Sequence, residues 1–219
     1  LWLQAARMGH ILSMRSVGVS HYYGHGTARD HQQAARWFRK CADQGDNTAR
    51  FYLAILAYTG EGVQQSYVDA ARLWRECADN GSGEAAFFVG GLYFYEHLDD
   101  RPLRERSPEA SFSGDPISTP FEDMPKVVNP SIAHPDVASI LFWFQRAAEL
   151  GYGWAALQLS YLHEEGLVQW GFAQNRALAL DNLQSAVRMG IPKAMHTLGE
   201  WYVEGLRVPQ NAARAVELI

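Results

Sequence analysis

Histidines four residues apart can clamp a metal from one face of a helix, and this chain carries such a pair in His21 and His25. No further ligand stands in register with them, and His25 lies between Gly24 and Gly26, so the pair reads as a core histidine and a turn residue. His163, Glu164 and Glu165 gather a base and two carboxylates at a helix end, but no second histidine completes a zinc-protease spacing. Cys41 and Cys77 belong to no CxxC or similar zinc-type pattern and read as two small buried thiols, expected free rather than bridged. Gly24-His25-Gly26 and Gly81-Ser82-Gly83 are turn glycines, since no strand feeds them as a phosphate cradle requires. Asn80-Gly81-Ser82 matches a glycosylation triplet that matters only in a secreted protein. No nucleophile-and-base set, metal set or cofactor motif emerges, so the expectation is a non-catalytic chain with no cofactor.

Composition narrows the class further. The 219 residues are 47% hydrophobic and 20% charged, enough to bury a core without a metal or disulfide staple. A net charge of -5 with no Lys/Arg run argues against nucleic acid as a partner. No apolar stretch approaches the ~20 residues of a membrane span, so no direct membrane insertion by this segment is expected. Free thiols favour a reducing, cytoplasmic compartment.

The elements that position these residues repeat along the chain. Gly9, Gly45, Gly81, Gly151 and Gly190 follow Ala-rich segments at spacings of 36, 36, 70 and 39, the third being one period plus a 34-residue insertion. Four residues after each glycine stands Ser13, Ala49, Ala85, Ala155 or Ala194. Four further on comes Val17, Leu53, Val89, Leu159 or Leu198, followed by Gly18, Ala54, Gly90, Ser160 or Gly199. His21, Ala57, Tyr93, His163 and Tyr202 form a later column. The second half of each period carries Ala34, Ala70, Ile140, Ala179 and Ala215, then Trp37, Leu73, Trp143, Asn182 and Leu218. Cys41, Cys77, Ala147 and Ala186 share a small column beyond them. Apolar and small residues at steps of three and four predict two helices per period, joined by Gly-x-Gly turns and ended by glycine. Small columns let helices approach closely while a large residue of the next layer fills the space.

Ala194-x-x-x-Leu198-Gly199-x-x-Tyr202-x-x-Gly205, Ala34-x-x-Trp37-x-x-Lys40-Cys41-Ala42-x-x-Gly45 and the turn Gly60-Glu61-Gly62-Val63 resemble the Sel1-like repeat, a relative of the tetratricopeptide repeat. The resemblance covers nearly all of the chain outside the insertion. It implies an all-α, right-handed α/α solenoid of about five helix-pair repeats. It also implies a scaffold or adaptor that assembles protein complexes, as in endoplasmic-reticulum degradation adaptors, activators of chitin synthesis and bacterial adaptors. The endoplasmic-reticulum lumen is therefore an alternative compartment. A regulatory or targeting arm of a larger multidomain protein is the alternative function. A bacterial branch of the family pairs two cysteines per repeat, and this chain has at most one per repeat.

Residues 1–219 are expected to form a single repeat domain that starts and stops inside second helices, as a segment of a longer protein would. Residues 97–135, rich in proline, serine and aspartate, are expected to be a disordered or surface-draped insertion in the third repeat. Ser107-Pro108 and Thr119-Pro120 within it fit proline-directed phosphorylation.

By the tetratricopeptide analogy the first helix of each pair lines a concave groove that takes a protein or peptide. The position one beyond the Tyr/His column reads Tyr22, Tyr58 and Phe94 before changing character, and the position two before the aliphatic column reads Phe51 and Phe87 in the middle repeats. With Tyr161 these are the candidate partner-binding residues, because aromatic anchors dominate interface energetics. The competing reading is that neighbouring helices or the insertion cover these rings as core.

Overall fold

The computed structural model describes residues 2–94, 137–166, 172–205 and 207–218. Among them lie eleven helices and, apart from an isolated bridge at Phe172, no extended pairing. The helices are α1 (Trp2–Arg7), α2 (Ile11–Tyr23), α3 (His31–Ala42), α4 (Asn47–Thr59), α5 (Tyr67–Asp79) and α6 (Gly83–Phe94). They continue as α7 (Val137–Glu149), α8 (Gly153–Glu165), α9 (Arg176–Arg188), α10 (Pro192–Glu204) and α11 (Ala212–Leu218). First helices α2, α4, α6, α8 and α10 alternate with second helices α3, α5, α7, α9 and α11, as the columns require. The expected insertion, with Ser107-Pro108 and Thr119-Pro120, lies outside the described residues. The chain divides into two compact units, Leu1–Leu92 and Tyr93–Ile219.

The two helix types are built differently. Second helices are amphipathic and bury one stripe. Ala34, Phe38 and Cys41 form it in α3, and Ala70, Trp74 and Cys77 in α5. In the second unit Ile140, Phe144 and Ala147 form it in α7, and Ala179, Leu183 and Ala186 in α9. The residue that fills each layer is therefore one position beyond the Trp37, Leu73, Trp143 and Asn182 column, whose members are only half-buried. First helices in the middle of the stack are apolar on every side: α4 buries Phe51 and every residue from Leu53 through Tyr58. A helix apolar all round is one enclosed by its neighbours.

Close approach explains the small columns. A Cβ on Gly18 would lie 2.6 Å from the Phe38 ring, so only glycine leaves that ring its seat. Cys41 and Cys77 are buried free thiols in the same column as Ala147 and Ala186, and all four are fully enclosed. The Cys77 thiol donates to the carbonyl of Asn47 (3.4 Å), and that of Cys41 to the carbonyl of Ile11 (3.7 Å).

Every described turn from a first to a second helix uses one hydrogen-bond pattern. The N-cap residues Asp30, Ser66, Asn175 and Asn211 donate their backbone N–H to the carbonyls of His21, Ala57, His163 and Tyr202, at 2.8–3.1 Å. Their side chains accept from the backbone N–H three residues on, the usual way to satisfy the first turn of a helix. Gln65, Gln174 and Gln210, each just before its N-cap, donate from Nε2 to the carbonyls of Tyr58, Glu164 and Val203. These glutamines close the C-terminal end of the first helix, where carbonyls lack helical partners.

Candidate partner-binding surface

Five of the six rings expected to line a groove are enclosed in the structure. Tyr22, Phe51, Tyr58, Phe87 and Phe94 are all buried, none more than 9% exposed. Tyr22 sits 5.2 Å from the His31 ring and 5.4 Å from Tyr52 of the next first helix. Phe51 meets Trp74 at 6.3 Å and Phe88 at 5.3 Å, while Tyr58 meets Tyr67 and Trp74 at 5.4 and 5.8 Å. In the second unit Phe94 lies 6.4 Å from Phe144. Rings at these positions fill the space between a first helix, its own second helix and the next layer, so helical spacing alone made core look like surface.

Tyr161 is different. It is half-buried against the core of the second unit, and its hydroxyl lies 3.3 Å from Thr197 Oγ1. Burial raises its phenol pKa above the usual value. One edge of α8 thus carries a tyrosine with its hydroxyl engaged and its ring partly open.

Among the described residues the most exposed aromatic ring lies on a second helix instead. Phe142 of α7 is 59% exposed and packs edge-on against Trp143 at 5.3 Å. Its column reads Arg36, Arg72, Asp181 and Glu217 in the other second helices, each exposed and charged as a solvent-facing position should be. That signal was present in the sequence two residues past the Ala34, Ala70, Ile140 and Ala179 column. In the first unit the matching face of α3 is cationic and aromatic: Arg36, Arg39 and Lys40 are exposed, and the Lys40 ammonium lies 4.7 Å over the half-buried Trp37 ring.

The residues with chemical potential are placed as structural parts. His25 stacks on Tyr23 at 5.4 Å. Burial holds the His163 imidazole below its usual pKa, and Glu164 pairs with Arg207 at 2.8 Å. Among the described residues no group of three or more His, Cys, Asp or Glu could hold a metal ion. No helix among them is long and apolar enough to cross a membrane.

Comparison with known proteins agrees with this architecture. The family described as Sel1 repeat matches residues 11–46, 48–82, 141–152, 155–191 and 192–219, more than half of the chain. The fold is similar to that of c5321, a protective antigen of uropathogenic Escherichia coli strains displaying an SLR fold, with a TM-score of 0.72 and 21% identity. The match covers 99% of this chain, which spans only 38% of the length of that one. A Sel1 repeat protein from Oxalobacter formigenes is similar at a TM-score of 0.71 and 19% identity, covering 96% of this chain and 71% of its own. No curated protein matches the chain.

Proposed function

This chain belongs to the Sel1 repeat family, and on that premise we propose that it is a non-catalytic protein-binding scaffold that assembles a complex, with Phe142 as a contact anchor. The observation that carries the reading is the exposed Phe142 ring where the four other repeats place Arg36, Arg72, Asp181 and Glu217. An exposed phenylalanine gains nothing from water, and aromatic anchors supply much of the energy at protein interfaces. The cationic, Trp37-bearing face of α3 adds a region suited to acidic segments of a protein partner.

Tyr161 favours a second contact on the first-helix side, since its ring is partly open while its hydroxyl is already held. The test places a photo-crosslinking phenylalanine analogue at position 142, 161 or 36 and identifies the covalently captured proteins. The proposal expects one discrete product at position 142 that Phe142→Arg, the charge found in other repeats, removes from affinity capture without changing helicity. Capture that is indifferent to Phe142→Arg would move the contact elsewhere.

A further inference from the structure

We propose that Asn80 is a latent deamidation site, chemically primed by its sequence and held unreactive by the fold of the turn between α5 and α6. Asn80-Gly81 is the one Asn-Gly pair in the chain. Glycine at the second position leaves the backbone nitrogen unhindered. In the reaction the Gly81 nitrogen attacks Asn80 Cγ, a C–N bond forms, the Cγ–Nδ2 bond breaks and ammonia leaves with the Gly81 proton. Water then opens the resulting succinimide to aspartate or isoaspartate.

Exposure does not protect this residue, because Asn80 is exposed and Gly81 turns outward with nothing within 4 Å of where a Cβ would stand. Geometry does. Asn80 caps α5 with ψ 15°, which nearly eclipses the Gly81 nitrogen with Asn80's own nitrogen. Ring closure needs that nitrogen eclipsed with Cβ instead, roughly a third of a turn away by tetrahedral geometry at Cα. Gly81 at φ 89° also donates its N–H to the carbonyl of Ala78 at 2.9 Å, so the attacking group is engaged. The leaving amide is held twice: Asn80 Nδ2 donates to the carbonyl of Glu76 (2.9 Å) and to Asn47 Oδ1 (3.3 Å). All these restraints must be released together, which requires the turn to open.

Conversion would break what the amide builds. A carboxylate cannot donate to Glu76 or Asn47, and it adds negative charge beside Glu76 and Asp79 at the C-terminal end of α5, where the helix dipole disfavours it. Deamidation therefore marks, and then weakens, the joint between the second and third repeats.

The experiment incubates the full chain at pH 8, folded and in urea, and maps deamidated peptides over time. In urea the Asn80 peptide should convert faster than any other asparagine. In the folded chain it should convert more slowly by about tenfold or more, since reaction waits on local opening. Asn47→Ala, which removes one hold on Nδ2, should speed the folded reaction while circular dichroism still reports a folded chain. Asn80→Asp should melt below the parent. Equal rates folded and unfolded, or no Asn80 conversion in urea, would overturn the proposal.

Discussion

Trp74 of α5 and Phe88 of α6 stack with ring centroids 4.6 Å apart and planes 28° from parallel, joining the second helix of one repeat to the first helix of the next. One period earlier Phe38 and Tyr52 do the same at 4.8 Å and 15°. The inter-repeat joint in the first unit is thus an aromatic stack repeated with the 36-residue period. Phe88→Ala is expected to cost about 3–5 kcal/mol, read by urea denaturation. Trp74→Phe should cost far less: the buried Trp74 Nε1 has no hydrogen-bond partner among the described residues, and phenylalanine already fills the column at Phe38 and Phe144. A Trp74→Phe loss as large as that of Phe88→Ala would show that the indole shape itself is required.

The second glycine of the Gly-x-Gly turn should differ between repeats in what its replacement costs. Gly62 has φ 71°, and a Cβ there would collide with the backbone of His31 in the preceding second helix. Gly26 has φ 73° and nothing within 4 Å. Gly26→Ala should cost only the left-handed conformation, about 1–2 kcal/mol. Gly62→Ala should cost clearly more, because backbone must move as well. Thermal melts of the two variants decide this.

Asp46 links two repeats through one carboxylate. It caps α4 by accepting from the Ala49 N–H at 2.7 Å, and it pairs with Arg15 of the previous first helix at 3.0 Å, with its own side chain only 6% exposed. Asp46→Ala should destabilise by about 1–3 kcal/mol. Asp46→Asn should recover part of this by restoring the cap alone. The same denaturation curves give both values.

The thiols set an alkaline limit. Burial pushes Cys41 up to about 11 and Cys77 up to about 12. Each folded-state pKa lies above its unfolded value, so the contribution to stability is complete below the unfolded pKa, near 9, and is lost as pH rises toward 11–12. Stability should therefore fall above pH 9 in a way that Cys41→Ala with Cys77→Ala reduces. At pH 8 the native thiols should resist alkylation until urea is added; prompt labelling of the native chain would contradict their enclosure.

Glycine spacing and the small-residue columns, read from the sequence alone, determined the helix-pair repeat, the free cysteines and the turn positions. These features are local, because a positive φ or a close helix approach restricts residue type wherever it occurs. The fate of the aromatics was decided only by tertiary structure. A ring at helical spacing buries equally well against a partner or against the next layer, and only packing shows that Tyr22, Phe51 and Tyr58 meet their own solenoid. Phe142 and Phe144, two residues apart, were separable in the sequence by register alone, since Phe144 continues the Ile140 and Ala147 stripe and Phe142 shares its column with charged residues; the fold encloses Phe144 completely and leaves Phe142 59% exposed. Gln65, Gln174 and Gln210 were equally silent, since a glutamine joins a repeating hydrogen-bond pattern only when the turn brings a carbonyl within its reach.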